Sequence, residues 1–405
     1  MRKASFGGII ILLLLVCYLV NCFSPLRLEY DSIRYFSLKD CLDHACPAGF
    51  KAAEDPHPYG YVMVLWGLDR LGLLHPFVIA FVNVVYLAGA LFFCGKIFQG
   101  VKKGLSGRDL EWGVILLLLS YPVVKFSIYP LSEMQYLFFS FGCLYFLRLF
   151  LDRGQRWGAF VLTLVFAGLA VFTRTVGIAL LPAMAAGIGW HYRAALRRNW
   201  KVVLGLVLLV AGGGIWVLMR RDIGLYANSV RVAGASWKVL LREHFTEWGE
   251  LLLNVPASKF PEVLRWVFMV IGIFFAGFVC VFIFRKRKKL PLAPTVYLGC
   301  YSALIFCWPF YDVRFWIPAA PVIVMVLLHG RYVRLMRVFV LFFIIAGVAA
   351  MGYATYTSFS KRALARSQAG GRYRNEYETH FFGKPQADTA VVEDPYVLHV
   401  LETYK

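Results

Sequence analysis

Eleven apolar runs, each near the length of a bilayer-crossing helix, dominate this sequence. They lie near 7–23, 76–95, 112–129, 134–151, 157–173, 175–191, 202–219, 264–284, 293–310, 315–329 and 338–355. A hydrocarbon core about 30 Å thick takes roughly 20 apolar residues per spanning helix. Composition agrees: 60% of the 405 residues are hydrophobic and 16% are charged, whereas soluble chains carry about a quarter charged residues. A compact soluble fold cannot hide that much apolar surface. The reading is therefore an all-α polytopic membrane protein of about 11 transmembrane helices, which excludes a disordered chain, a secreted disulfide scaffold and a cytosolic enzyme. The shortest connections fall at 129/134 and 173/175. The stretch 58–74 is apolar but interrupted by Asp69 and Arg70, and reads as a helix lying at the interface. Residues 1–23 resemble a signal peptide, with Arg2-Lys3 ahead of the apolar run. No small-x-small cleavage site follows, so an uncleaved first span is expected.

The net charge of +20 invites a nucleic-acid reading, but its distribution argues against one. With the N-terminus placed in the cytoplasm, the cytoplasmic segments hold 21 of the 43 bases and three of the 23 acids, a net of +18, leaving the exterior at +2. Such one-sided excess is the positive-inside pattern. The basic clusters are topology determinants that can touch anionic headgroups of membrane lipids, and no nucleic-acid partner is expected. This orientation puts the C-terminus outside and defines a transmembrane domain over 1–355. Its long exterior segments are 24–75 and 220–263, and a short exterior tail runs over 356–405. The 220–263 segment, with Trp237, Glu247 and Trp248, has the makings of an amphipathic helix.

Five of the nine cysteines (Cys94, Cys143, Cys280, Cys300 and Cys307) sit in or at the ends of spans, where they pack as small apolar side chains. Cys41 and Cys46 fall in the first exterior loop, a compartment where disulfides persist, and are candidates to pair. His44 between them adds at most a third metal ligand.

The apolar runs carry essentially no ionisable residue at mid-depth. Charges found there commonly mark ion or proton pathways, so their absence weakens an ion-coupled transporter reading. Isolated charges recur instead at the outer helix ends: Lys125, Glu133, Arg174, Asp312 and Arg314. Such a ring suits a substrate with a lipid tail in the membrane and an anionic head at its surface. The sharpest local cluster is Glu29-Tyr30-Asp31-Ser32-Ile33-Arg34-Tyr35, just past the first span. A carboxylate there can act as general base toward a hydroxyl or bind a divalent cation; a solvated loop acid is the plainer alternative.

Five segments together resemble a known family. Asp31-Ser32-Ile33-Arg34-Tyr35 resembles the acidic motif of the first exterior loop in the GT-C superfamily of polyprenyl-phosphate-sugar-dependent glycosyltransferases, in its glycosyltransferase-39/ArnT-like and protein-mannosyltransferase-like branches. His57-Pro58-Tyr59-Gly60-Tyr61 is similar to the His/Lys-Pro-Pro-x-Tyr segment that follows it there. Tyr129-Pro130-Leu131-Ser132-Glu133 resembles the Pro-x-Ser-Glu at the start of the fourth span. Thr173-Arg174-Thr175-Val176-Gly177, with Pro182, resembles the Thr-Arg-x-x-Gly turn. Asp312-Val313-Arg314-Phe315-Trp316-Ile317-Pro318 is similar to the late Arg-Tyr/Phe-x-x-Pro segment. The match spans roughly residues 8–320. It departs at Pro58-Tyr59, where the family has Pro-Pro, and in the C-terminal domain, reduced here to a tail.

The resemblance implies a hexosyltransferase of the bacterial inner membrane. It would move a sugar, with inversion, from a polyprenyl-phosphate sugar donor to a lipid, glycan or protein acceptor. Asp31 is then the expected base, with Glu29 as its helper or co-ligand for a divalent cation. Arg174 and Arg314 are expected on the leaving phosphate, where a guanidinium offers a bidentate fork, with Lys125 as a further phosphate candidate. Glu133 would cap the fourth helix or meet sugar hydroxyls. His57 would touch the acceptor or position its loop, and Tyr59, with Tyr35 and Tyr61, would stack on sugar or anchor the interface. A plain turn arginine for Arg174 and a local Asp312 pair for Arg314 stand as alternatives. Two other functional classes share the span pattern: a lipid-linked-sugar flippase and a non-catalytic membrane scaffold.

Overall fold

The computed structural model describes residues 5–99, 107–152, 156–193, 236–287, 290–330, 334–383 and 393–404. The expected span 202–219 lies outside the described residues, as do much of the 220–263 segment and many of the basic residues used to assign topology. Among the described residues all regular structure is helical. Among the described residues four helices are long and apolar enough to cross a bilayer: α4 (Pro76–Gln99), α7 (Glu133–Asp152), α11 (Glu262–Lys286) and most of α14 (Arg334–Phe359). Helices α1 (Phe6–Asn21), α8 (Trp157–Thr173) and α12 (Leu292–Phe306) are apolar but shorter, as is the segment Thr175–His191 that contains α9 (Leu180–His191).

Two expected runs are interrupted in the structure. The run 112–129 divides into α5 (Gly107–Leu118) and α6 (Tyr121–Phe126). Pro122 has no N–H to give an interior turn but suits a helix start. Buried Asn254, in the left-handed region at φ 58°, covers the break. Its Oδ1 accepts from Tyr121 N at 2.6 Å, and its Nδ2 donates to Leu119 O and Phe343 O, both at 2.9 Å. Backbone groups freed at the break thus find partners. The run 315–329 begins as a 3₁₀ turn (Val313–Trp316) before α13 (Ala320–Gly330). Arg314, just ahead of the expected run, lies on this turn.

Helix α7 packs against α4, α8 and α9; α9 packs on α12, α10 (Trp237–Leu253) on α11, and α1 on α5 and α14. Trp316, Tyr136, Tyr297 and Tyr301 are fully buried, with the Tyr297 hydroxyl donating to that of Tyr136 at 3.2 Å. The first long connection carries α2 (Tyr30–Leu42) and α3 (Tyr59–Arg70), packed on each other, with a Cys41–Cys46 disulfide at the end of α2. Helix α3 reaches the C-terminal end of α8 because residue 60 is glycine. A Cβ there would sit 2.6 Å from the Thr173 Cα and 2.7 Å from the Phe172 carbonyl oxygen.

The C-terminal segment folds into α15 (Lys361–Ser367), α16 (Arg374–Phe382) and α17 (Pro395–Thr403). It grips the chain just ahead of α2. Leu28 N donates to both Gln368 Oε1 (3.1 Å) and the Tyr377 hydroxyl (3.0 Å), and that hydroxyl donates to Leu26 O at 2.7 Å. Further along, Tyr396 donates to Asp40 Oδ2 and Lys39 to the Tyr404 hydroxyl, each at 2.6 Å.

Candidate functional site

Helix ends from distant parts of the chain converge beside the start of α2. Asp31 stands in the first turn of α2, Glu133 opens α7, Arg174 follows the last residue of α8, and Arg314 lies on the 3₁₀ turn. Past Arg174 the chain packs closely back on α8, where a Cβ at Gly177 would sit 2.7 Å from Val171 N. At Arg314 the Asp312 carboxylate turns the chain by accepting from Arg314 N at 3.0 Å.

The charges alternate along a continuous chain of seven side chains. Arg34 Nε lies 2.9 Å from Asp55 Oδ2, and Asp55 Oδ1 lies 2.6 Å from His57 Nδ1. His57 Nε2 faces Asp31 Oδ1 at 3.4 Å, and Asp31 Oδ2 accepts from Arg314 Nη2 at 2.6 Å. Arg314 Nε stands 3.9 Å from Glu133 Oε1, which accepts from Arg174 Nη1 at 2.5 Å. Both guanidiniums lie over the Phe315 ring, at 5.3 Å for Arg174 and 5.1 Å for Arg314. Such contacts suit cations held away from water.

Burial alone would raise the Asp31 carboxyl. Arg314, the His57 hydrogen bond and the charge of Arg174 outweigh burial and hold it far below the usual carboxylate range. Burial alone would lower His57, but hydrogen bonds and charge from Asp31 and Asp55 raise it to about 9. At neutral pH Asp31 therefore reads as a carboxylate and His57 as an imidazolium.

Four polar atoms in the cluster are buried without a hydrogen-bond partner among the described residues: Asp55 Oδ2, Arg314 Nε, Arg314 Nη1 and Glu133 Oε2. Asp55 Oδ2 still has the Arg34 ion pair at 2.9 Å, and Arg314 Nε lies 3.2 Å from Asp312 Oδ2, which leaves Arg314 Nη1, a donor, and Glu133 Oε2, an acceptor, the more open pair. Buried polar atoms are usually paired, so an open donor on Arg314 and an open acceptor on Glu133 mark where a ligand can complete the set. The turn bearing Arg314 is braced from behind by Trp316 Nε1, which donates to Glu247 Oε2 at 2.8 Å, and by the Tyr301 hydroxyl, which donates to Phe315 O. Glu247 sits on the inner face of α10, beside His244 Nδ1 at 2.8 Å.

Of the residues singled out from sequence, Asp31, His57, Glu133, Arg174 and Arg314 thus meet in one cluster. Lys125 and Glu29 pair with each other at 3.1 Å on its flank. Tyr59 opens α3 and packs half-buried against the core, whereas Tyr35 enters the cluster with its hydroxyl 2.9 Å from Ser132 Oγ. Glu29 and Asp31 do not fit a divalent ion, because each carboxylate turns to a separate cation. No group of three or more His, Cys, Asp or Glu side chains suited to a metal occurs among the described residues. Sequence reasoning missed Asp55 and named Phe315 only as part of the late motif, without a role. The signal for Asp55 was present: an acid two residues before a histidine, in the Pro-punctuated stretch Asp55-Pro56-His57-Pro58, is a turn pattern with a side-chain acceptor.

No known protein family, curated protein or solved structure matches this chain.

Proposed function

We propose that this chain is a multi-pass integral membrane glycosyltransferase. In this reading it moves a sugar from a polyprenyl-phosphate donor to an acceptor at the exterior face of the membrane, with inversion. The observation that carries the reading is the convergence of one ionised carboxylate, Asp31, with two guanidiniums, Arg174 and Arg314, from chain segments more than a hundred residues apart. The spanning reading is supported by α11, where Val263, Phe274 and Phe284 are 79%, 75% and 67% exposed. Water does not favour such a face, whereas lipid does.

In the proposed step the acceptor hydroxyl oxygen attacks the anomeric carbon opposite the phosphate. The new C–O bond forms as the bond to the phosphate oxygen breaks, and that oxygen keeps the electron pair. The hydroxyl proton passes to Asp31. Arg314 has a spare N–H at Nη1 for the departing phosphate, and fixed positive charge there costs no reorganisation as the oxyanion develops. Phosphate and Asp31 compete for Arg314. Donor binding therefore loosens the Asp31–Arg314 pair and makes Asp31 more basic when the acceptor arrives. Arg174, held by Glu133, supplies the second cation, and Glu133 Oε2 is open to a sugar hydroxyl.

The test is incubation of the purified protein with radiolabelled polyprenyl-phosphate sugars and candidate acceptors, with and without chelator. Label should move to an acceptor and be indifferent to chelator. Label appearing on the opposite leaflet with no new glycosidic bond would instead make the protein a flippase.

A further inference from the structure

The Asp55-Pro56-His57-Pro58 stretch does more than connect α2 to α3. Proline at 56 and 58 restricts the backbone on both sides of His57. Asp55 Oδ1 accepts from both the His57 backbone N–H (2.8 Å) and ring Nδ1 (2.6 Å). Its other oxygen is held by Arg34 Nε at 2.9 Å, and the Asp55 side chain is almost fully buried. The edge of the histidine ring meets Tyr35, with ring centres 5.4 Å apart and planes at 84°. With Nδ1 bound and the ring wedged, Nε2 has one direction to face, and it faces Asp31.

We propose that Asp55 is a positioning residue: it keeps His57 protonated and aimed at Asp31, so that the three form a carboxylate–imidazolium–carboxylate clamp on the candidate base. The inference rests on the transferase reading for its purpose. Asp31 has two cationic neighbours, and the donor phosphate draws on one of them, Arg314. His57 is the other, and it keeps Asp31 ionised and oriented when Arg314 turns to the phosphate. The charged or titratable groups facing His57 are Asp31, Asp55 and Tyr35, with Arg34 and Arg314 one step behind the two carboxylates. Both nearest acids favour the imidazolium.

Two measurements separate this proposal from the transferase reading. The first is exchange of the His57 ring C2 hydrogen against pH, read by mass spectrometry on the peptide containing it, which needs no substrate. In the wild type the midpoint should lie near 9 rather than the ordinary 6.5. In Asp55→Asn, which keeps an acceptor for the backbone N–H, it should fall by about one to three units, the usual effect of one adjacent opposite charge. The second is the pH profile of transfer, whose alkaline limb should move the same way in Asp55→Asn and return in Asp55→Glu, with the donor KM little changed. A wild-type midpoint near 6.5 would overturn the clamp and needs no variant to fold. So would an Asp55→Asn midpoint equal to the wild type's. Absence of transfer with the expected midpoints would support the clamp and sink the transferase reading.

Discussion

At the scale of single residues, Asp31 and His57 carry opposite linkage signs. His57 binds its proton more tightly in the folded site than free, about 9 against 6.5. Its stabilising contribution is therefore complete below about pH 6.5 and disappears as pH climbs through about 9. Asp31 is held below its ordinary value, so its contribution is present above the usual carboxylate range and is lost only in acid. Thermal unfolding should thus show Tm declining between about pH 7 and about pH 10, and His57→Gln should flatten that decline. A wild-type Tm flat across that range would remove the charged histidine from the account. Arg174 makes a different prediction. Arg174→Ala should raise the donor KM by roughly tenfold or more, about the worth of one charge-assisted hydrogen bond. An unchanged response to donor concentration would make Arg174 a brace for Glu133 alone.

At the scale of elements, the site depends on helix ends being brought close. Gly60 shows this best, because the backbone of α8 occupies the space a side chain would need. Gly60→Ala should push α3 off α8, carry His57 away from Asp31 and cost about 1–3 kcal/mol, measurable by denaturant unfolding of the detergent-solubilised protein. A wild-type midpoint would show that α3 does not set the position of His57. Hydropathy marked most helices within a few residues: α3 falls inside the 58–74 stretch, and α8 closes at 173 as the charge at Arg174 suggested. It merged α5 with α6, because apolar residues run straight through the Ser120-Tyr121-Pro122 break and only the proline announces it. The five motifs pointed to residues that do meet. Their pairing was not legible, since Asp31 and Arg314 lie 283 positions apart and nothing local encodes that contact. Asp55 was overlooked for a related reason, as an acid in a loop looks solvated until burial is known.

At the scale of the whole molecule, the C-terminal segment is part of the architecture rather than an appendage. Tyr377 and Gln368 bind the backbone at Leu26 and Leu28, three residues ahead of Asp31 at the nearest. Truncation after residue 360 should therefore unseat α2 and abolish transfer while leaving α4, α7 and α11 inserted. Full activity in the truncated protein would show that α2 holds its place without this support. The exposed apolar faces make a companion expectation, that the full chain stays with the membrane fraction through alkaline extraction.

The central claim is that a carboxylate set between Arg314 and His57 takes the acceptor's proton. Its most direct test compares transfer of radiolabelled sugar from a polyprenyl-phosphate donor by wild type and Asp31→Asn. Both should be purified, matched in Tm and supplied with saturating donor. Asn keeps the shape but gives up the base, so the wild type should form product and the variant should lose transfer by about a hundredfold or more. Equal product from both would contradict the account.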